Sequence, residues 1–439
     1  MRKRERLSTI VRQAVRGIPA ALALALPLAA SAQLSLATAV ELAQKHSPGV
    51  RAAAADVQRA AAGVREARSA YLPNFSVGAS PGYAYGYPLG YPSLFNATSN
   101  SLVFSFSQPD YVRSARTALT AAKLHLKDEK QQVTLDVSLD YVELDHDARM
   151  IAALNEEKGY AEQLVGYERD RVRAGVDPRM DLLKAQLAAA QVDEKRIHLE
   201  NDAAEMRQQI GSLTGLPAAG MTTVSSSIPK MPGLGASAAA EMAANPGIAA
   251  AYANAKSKLY VAFGDSKANY RPMIGFGAQY SLFSKINNYN QYFKNFQYNN
   301  VELGVQITLP LFDATKRARA QESAAAAVAA QAKAEQSRNE LNSQDLVLRR
   351  SVRELQARQK VARLQSELAQ AQFQTVEAEL TSGSGGTQPA TPIQAQKAHI
   401  EERERYEDLL DANFSLLKAQ LNLLRNTGQI EAWASSSLH

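Results

Sequence analysis

Residues 301–309 read Val-Glu-Leu-Gly-Val-Gln-Ile-Thr-Leu, so every odd-numbered position is apolar and every even-numbered position is polar or glycine. A period of two is typical of a β-strand with one apolar face. A tilted strand needs ~9 to 11 residues to cross the hydrocarbon of a bilayer, and this run has that length. The pattern predicts a membrane-spanning strand, and the alternative is a half-buried strand in a soluble sheet.

Three further runs alternate in the same way, at residues 75–80, 102–107 and 274–282. In the second of them we expect Leu102, Phe104 and Phe106 to share the apolar face. Four strands cannot close a barrel, and a spanning sheet with open edges is not tolerated in lipid. Bacterial barrels have an even number of strands, at least ~8. Other copies must therefore complete the sheet: two chains would be the minimum, and three chains would supply twelve strands.

The chain contains two tandem copies of one unit, offset by about 200 residues. Ser47-Pro48 recurs as Asn245-Pro246, and Gln108-Pro109-Asp110-Tyr111 resembles Leu309-Pro310-Leu311-Phe312. We predict a first repeat at 33–215 and a second at 237–430. A Pro/Gly/Ser-rich linker at 216–236 joins them as an ordered surface crossing, and 431–439 form a C-terminal tail.

Each strand pair leads into a very long helical segment. Residues 111–173 and 313–381 would form helices of ~95 and ~100 Å, while 36–70 and 178–213 would form helices of ~50 Å. Two short helices stacked end to end would match one long helix and build a continuous wall. The apolar positions recur at coiled-coil spacings of three, four and seven: Leu119, Leu126, Val133, Val137, Leu144, Ile151, Leu341, Leu348, Leu355, Leu410, Phe414, Leu417, Leu421 and Leu424. The predicted class is mainly α with four transmembrane β-strands.

The amino terminus has the pattern of a secretory signal peptide at 1–32. A basic segment precedes the apolar run 18–30, which is shorter than the ~20 residues of a membrane-spanning helix. We expect cleavage after Ala32. The formal net charge of +6 would fall to about +1, which removes the compositional support for nucleic-acid binding. The chain has no cysteine, so we expect neither disulfides nor a lipoprotein anchor.

Across nearly the whole mature chain the sequence resembles the TolC-like outer-membrane efflux protein family. The matching motifs are Arg68-Ser69-Ala70-Tyr71-Leu72-Pro73, Leu309-Pro310-Leu311-Phe312-Asp313, Arg171-Val172-Arg173-Ala174-Gly175-Val176, Asp181-Leu182-Leu183 and Leu213-Thr214-Gly215. The resemblance implies a homotrimer with a 12-stranded outer-membrane barrel and a periplasmic α-barrel. It also implies docking to a periplasmic adaptor and an inner-membrane pump, and passive transport without a cofactor. Pro109-Asp110-Tyr111 departs from the family's Pro-Leu-Phe-Asp, which puts the first strand-to-helix junction in doubt.

The resemblance also places the gate and the adaptor-docking tip at the two periplasmic turns. The candidate residues are Arg173, Gly175, Val176, Asp177 and Asp181 in the first turn, and Gly385, Gly386 and Thr391 in the second. We expect Asp177 to cap the following helix and Pro178 to begin it. Asp181 either contacts the gate or only favours the helix start. No acidic residue lies between Glu379 and Glu401, so the acidic ring of several relatives is missing from the second turn.

Other functions have weaker support in the sequence. The best candidate for a metal site is Glu143, Asp145, His146 and Asp147, but consecutive helical residues point ~100° apart, which favours a charged helix face. We therefore expect no catalytic residue and no metal site. The aromatic residues between the strands of each pair are interpreted as an interfacial girdle and extracellular loops. The alternative function is a periplasmic coiled-coil adaptor or scaffold protein.

Overall fold

The computed structural model describes residues 33–81, 93–232, 245–283, 295, 297–382 and 391–436. The elements in chain order are β1 (Gln33–Leu34), α1 (Leu36–His46), α2 (Pro48–Ser69), β2 (Asn74–Gly78), β3 (Ser93–Ser105), α3 (Gln108–Arg173), α4 (Arg179–Thr214), β4 (Thr222–Thr223), a 3-10 turn (Ser225–Ser227), α5 (Pro246–Tyr270), β5 (Met273–Phe283), β6 (Asn299–Thr308), α6 (Ala314–Ser382), α7 (Pro392–Asn426) and α8 (Ile430–Ser435). The chain is mainly helical, as predicted.

Several predictions fall on residues outside the described ranges. They are the signal peptide with its cleavage site at Ala32, the tip residues Gly385 and Gly386, and the aromatic residues Tyr83, Tyr85, Tyr87, Tyr91, Tyr289, Tyr292, Phe293 and Phe296. Within the described ranges, no helix combines the length and the apolar character that a membrane crossing requires.

Helices α2 and α5, one in each repeat, both begin with a side-chain cap. The Ser47 hydroxyl accepts a hydrogen bond from the backbone N–H of Val50, and the Asn245 side chain accepts from Gly247 and Ile248. These caps satisfy amide groups that lack intrahelical partners. The helix expected at 36–70 is interrupted here, because Ser47 ends α1 and Pro48 begins α2. The similarity of Ser47-Pro48 to Asn245-Pro246 therefore reflects equivalent helix starts.

Short helices stack end to end beside the long ones, as the lengths predicted. The Asn245 side chain donates to the carbonyl oxygen of Asn426 at 3.1 Å, which joins the start of α5 to the end of α7. In the first repeat, the His46 ring lies against Gly215, where α4 ends in a left-handed conformation. A Cβ atom at position 215 would come within 3.3 Å of the His46 ring. Each of these two contacts therefore joins short helices end to end beside one long helix.

The long helices organise a wall of antiparallel helices. The 66 residues of α3 and the 69 residues of α6 correspond to ~100 Å each. Helix α3 packs against α2 and α5 in the half nearer the sheet, and against α4 and α7 in the half nearer the turns. Helix α6 packs against α5 and α7. The described wall therefore has α2 and α4 at one lateral edge and α6 at the other.

The largest apolar core lies at mid-height, where the linker crosses the wall. Tyr141 of α3 is fully buried, donates to the carbonyl oxygen of Leu34 at 2.6 Å and accepts from the Val224 amide at 2.8 Å. The parallel strands β1 and β4 pair beside it. Helix α8 joins this core through Ile430 and Trp433. We had predicted a C-terminal tail at 431–439. Its residues 431–436 pack against the apolar core, because the Trp433 side chain is buried there.

The four-stranded sheet has the order β2-β3-β5-β6, with antiparallel pairing throughout. The aligned positions Phe75, Ser99, Ala278 and Leu303 lie on one face, and Ser76, Thr98, Gln279 and Glu302 lie on the other. The predicted apolar and polar faces of β2, β5 and β6 are confirmed. Within the described residues β2 and β6 are edge strands, so the sheet is open.

One strand prediction is wrong. Leu102 pairs with Gly275 and Phe104 pairs with Ile274, because an irregularity in the register of β3 falls between Leu102 and Phe104. The extra residue of a β-bulge moves the side chains that follow it to the opposite face. Leu102 therefore lies on the polar face and Phe104 on the apolar face, whereas the simple alternation had placed both on the apolar face.

Candidate functional site

The first turn between long and short helices is closed by a glycine-dependent motif. Gly175 has φ of +73°, its amide donates to the Val172 carbonyl at 3.0 Å, and the Val176 amide donates to the Arg171 carbonyl at 2.9 Å. This is the Schellman arrangement, in which a left-handed residue satisfies the last carbonyl groups of a helix. Gly175 therefore ends α3, and Val176 is left exposed at the tip.

Asp177 does not cap the following helix, contrary to the prediction. Its carboxylate accepts hydrogen bonds from the Nε and Nη2 atoms of Arg171, the latter at 2.9 Å, and α4 begins at Arg179 without a side-chain cap. The Arg171 guanidinium lowers the pKa of Asp177. A bidentate arginine is a stronger partner for a carboxylate than a single backbone amide. Asp177 therefore braces the end of α3 against the turn.

The remaining polar candidates of the first turn lie apart within the chain. Asp181 is in the first turn of α4 and accepts from the Lys184 ammonium at 3.3 Å. Arg173 is exposed and lies 3.6 Å from Asp170. The structure therefore does not bring Arg173 and Asp181 together inside one protomer. Both side chains are solvent-accessible at the tip.

The described part of the second turn is a helix start. Thr391 accepts from the Gln394 amide at 3.3 Å, and the Gln394 side chain accepts from the Thr391 amide at 2.8 Å. This capping box satisfies two amides that have no intrahelical partner. Thr391 is thus assigned a structural role in α7.

A row of ion pairs along the face between α3 and α7 was not anticipated. It joins the two repeats, and we call it the inter-repeat seam. Its pairs are Asp128 with Arg425 at 2.6 Å, Glu143 with Lys418 at 3.7 Å, His146 with Asp411 at 2.9 Å and Glu156 with Arg403 at 2.8 Å. Three of the four α3 residues are acidic, and three of the four α7 residues are basic. The complementary charges favour one register between the repeats.

His146 is the most enclosed member of the seam. Its ring contacts Asp147 on its own helix and Asp411 on α7, and it stacks on Phe414 with centroids 4.6 Å apart. Burial disfavours the charged ring, but the two carboxylates outweigh burial and raise the pKa of His146 to about 9. The ring is therefore a protonated cation at neutral pH. Its neighbour Asp145 accepts from Thr223 and Ser225 of the linker.

These contacts explain the acidic and histidine cluster at 143–147 without a metal ion. Its side chains are directed to three places: α7, the linker and the helix itself. Among the residues that the structure describes, no group of three or more His, Cys, Asp or Glu side chains is arranged to hold a metal ion.

Two buried carboxyl groups meet lower on the seam. Glu157 of α3 and Glu407 of α7 are both almost fully buried, and Lys195 of α4 donates to Glu407. Burial, and then the neighbouring Glu407, raise the pKa of Glu157 to about 8. Two adjacent carboxyl groups in a poorly solvated site are more stable when one of them keeps its proton. Glu157 is thus largely protonated at neutral pH.

The first strand-to-helix junction, which the sequence had left in doubt, forms ion pairs and a hydrogen bond between the repeats. The buried Asp110 is contacted by Lys267 of α5 at 2.5 Å and by Arg113 at 3.1 Å. Tyr111 donates to Asp265 at 2.7 Å, and its ring lies where a side chain at Gly264 would stand. Asp110 and Tyr111 therefore replace apolar packing with a charged and hydrogen-bonded contact.

Comparisons with known proteins agree with this architecture. Residues 39–216 match the family described as Outer membrane efflux protein. Among curated protein sequences, none matches the chain. The crystal structure of CusC is similar with a TM-score of 0.73 at 15% identity, over 90% of this chain and 92% of CusC.

Two further solved structures are similar along most of their length. VceC from Vibrio cholerae has a TM-score of 0.72 at 15% identity, over 90% of this chain and 96% of VceC. The open state of the MtrE outer membrane channel from Neisseria gonorrhoeae has a TM-score of 0.72 at 14% identity, over 90% of this chain and 89% of MtrE. The chain thus resembles the outer membrane efflux proteins in sequence over residues 39–216, and it has the fold of TolC-like outer-membrane channels over about nine tenths of its length.

Proposed function

We propose that the chain is the outer-membrane channel of a tripartite efflux or type I secretion system, a passive conduit across the outer membrane and the periplasm. The observation that carries the proposal is the four-stranded sheet at the end of a ~100 Å helical wall. One face of the sheet is apolar and suits outer-membrane lipid. The other face is polar and suits a water-filled lumen.

The open sheet requires further copies. Strands β2 and β6 each leave one edge unpaired among the described residues, and unpaired backbone groups are costly in hydrocarbon. If β6 of one copy pairs with β2 of the next, three copies close a barrel of twelve strands. The helical walls of the same three copies then form a tube in the periplasm below the barrel.

The far end of the wall would meet the rest of the pump. The tip residues Arg173, Gly175, Val176, Asp177 and Asp181 lie at the end opposite the sheet, with Thr391 at the neighbouring turn. In this proposal the residues of the first turn form the periplasmic gate, and both turns form the docking site for an adaptor protein, which links the channel to an inner-membrane pump. The exposed Val176 and the charged Arg173 are available for such a contact.

The experiment that tests the function combines localisation with conductance. A channel should remain in the membrane pellet after a wash in high salt, should need detergent for extraction, and should give discrete conductance steps in planar bilayers. The alternative, a periplasmic adaptor or scaffold, predicts release by salt and silent bilayers. Release into the soluble fraction would overturn the proposal.

A further inference from the structure

A small cavity lies where the sheet meets the helical wall. It has a volume of about 210 Å³ and is enclosed by the base of β3 and β5, the end of α5 and the starts of α3 and α6. We call it the junction cavity. Its lining includes Phe106, Gln108, Lys267, Arg271 and Lys316. Three of these five side chains are cations, so the cavity suits an anionic ligand.

The charged groups around the junction cavity are not balanced. The acids that form ion pairs here are Asp110, Asp265 and Asp313. The cations at the same level are Arg113, Lys267, Arg271, Lys316, Arg317 and Arg319. Within the described ranges, neither Arg271 nor Arg317 forms an ion pair. The group therefore has twice as many cations as acids, and two of the cations have no acidic partner there.

Aromatic rings hold the Arg271 side chain in place. Its guanidinium carbon Cζ lies 5.4 Å from the centre of the Phe106 ring and 5.2 Å from the centre of the Tyr270 ring. A guanidinium is attracted to the face of an aromatic ring. This contact leaves its N–H groups free to bind a planar or tetrahedral anion. Because Arg271 is exposed, such an anion can reach it from outside the chain.

Arg271 also lies at the lower margin of the apolar face of the sheet. The Phe106 ring packs edge-on against Phe104 with centroids 4.9 Å apart, and Phe104 lies on the apolar face. Arg271 precedes Ile274 by three residues, which is about 10 Å along a strand and about 7 Å along the membrane normal at a tilt of ~45°. The headgroup layer on each side of a bilayer is roughly 5 to 7 Å thick. If the apolar face spans hydrocarbon, Arg271 is at the level of the lipid phosphates.

The first repeat has no cation at the equivalent position. Tyr71-Leu72-Pro73 precedes β2 as Tyr270-Arg271-Pro272 precedes β5, so Leu72 corresponds to Arg271. The Leu72 side chain is 64% exposed. An exposed leucine at this level suits acyl chains, whereas an arginine extends its charged end to the headgroups. The two repeats therefore differ, and each chain has one such cationic site.

We propose that the junction cavity binds the phosphate group of an anionic phospholipid from the periplasmic leaflet of the outer membrane. The Arg271 guanidinium donates to two phosphate oxygens, a geometry that its planar fork matches. Lys316 is only 3.8 Å from Asp313, so it supplies a second cation to the same phosphate. The acyl chains lie against Phe104 and Phe106. This inference rests on the proposed channel and adds a specific lipid site to it.

Native mass spectrometry of the detergent-extracted protein tests the site. The delipidated parent and Arg271→Gln are each mixed with phosphatidylglycerol, whose headgroup is anionic, or with phosphatidylcholine, whose headgroup is zwitterionic. We expect the parent to keep one phosphatidylglycerol per chain at concentrations that leave phosphatidylcholine unbound. Arg271→Gln should bind phosphatidylglycerol roughly fivefold to tenfold more weakly, because it lacks one cation at the anionic headgroup.

Arg51→Gln is the matched control. Arg51 is an exposed cation near the start of α2, roughly 25 Å along that helix from the sheet, so this variant should bind phosphatidylglycerol like the parent. A second measurement compares phosphatidylglycerol with inorganic phosphate at constant ionic strength. Phosphatidylglycerol should raise the melting temperature of the parent more than that of Arg271→Gln, and inorganic phosphate should change neither.

Two results would overturn the inference. One is equal binding of phosphatidylglycerol by Arg271→Gln and Arg51→Gln. The other is stabilisation of the parent by inorganic phosphate to the same extent as by the lipid, because the cavity would then take a free anion. If the protein still gives conductance steps in planar bilayers in either case, the proposed channel stands without the lipid site.

Discussion

Arg171, in the last turn of α3, donates two hydrogen bonds to Asp177 across the glycine turn of the tip. The pair ties the end of a ~100 Å helix to the segment that leads into α4. It is solvent-exposed on the Arg171 side, so it is an ordering contact at the tip and not a source of global stability.

Breaking this pair should loosen the tip alone. For Asp177→Asn we expect faster amide hydrogen exchange at residues 174–181, because a neutral amide cannot keep the charge-assisted pair with Arg171. Exchange in the rest of α3 should not change. Asp170→Asn is the matched control, since Asp170 only approaches the exposed Arg173, at 3.6 Å. Equal exchange in both variants and the parent would mean that the turn motif alone orders the tip.

The gate prediction concerns the asymmetry between the two turns. Asp181 is a carboxylate at the tip, whereas no acid lies between Glu379 and Glu401. If closure uses Asp181, the charge-assisted hydrogen bonds that it forms are worth roughly 1.5 to 3 kcal/mol each when buried, and much less when solvated. We expect a higher single-channel conductance in planar bilayers for Asp181→Ala.

Thr391→Ala is the control for the gate, since Thr391 caps α7. Its loss should cost about 1 kcal/mol of helix stability with little change in conductance. If Asp181→Ala conducts like the parent, Asp181 serves only the start of α4.

The buried carboxyl pair predicts that the inter-repeat seam weakens as the pH rises from about 4.5 to about 8. The pKa of Glu157 is about 8 in the folded chain, against 4.5 for an unperturbed glutamate. The unfolded chain therefore loses this proton at a lower pH, and the free energy of unfolding falls as pH rises between the two values. The groups that face Glu157 are Glu407, Glu404 and Lys195.

Glu157→Gln should reduce this dependence, because an amide has no proton to lose. We expect the apparent melting temperature, measured by circular dichroism in detergent, to fall less between pH 6 and pH 9 than in the parent. Glu156→Gln is the neighbouring control, since Glu156 is an exposed partner of Arg403. If the melting temperature of Glu157→Gln falls as much as that of the parent, other groups cause the pH dependence.

His146 predicts a second contribution on the alkaline side. Its pKa is raised to about 9 from 6.5, so its stabilising effect is complete below about pH 6.5 and is lost as pH rises through about 9. His146→Phe keeps an aromatic ring against Phe414 but leaves Asp147 and Asp411 without the cation. We expect a loss of roughly 1.5 to 3 kcal/mol at pH 6, measured by denaturant unfolding, and a smaller difference at pH 10. A pH-independent difference would show that packing dominates.

The sequence predicted the features that depend on local periodicity. The long helices and the faces of β5 and β6 follow from spacing within a few residues. The bulge near Leu102 was missed because one inserted residue inverts the alternation without a signal in the pattern. Asp177 was misassigned because its arginine partner and a helix cap compete for the same carboxylate.

The inter-repeat seam was missed for a different reason. His146 and Asp411 are 265 residues apart, and Asp128 and Arg425 are 297 apart. Their pairing depends on the vertical register of two long helices from different repeats. Charges at exposed helix positions carry no information about that register. The ion pair between Asp110 and Lys267 likewise could not be predicted without knowing where α5 packs.

Three copies of this chain should close one channel, because strands β2 and β6 each have an unpaired edge among the described residues. Native mass spectrometry of the detergent-extracted protein tests it most directly. We expect a single species of three chains. A stable monomer or a dimer would contradict it.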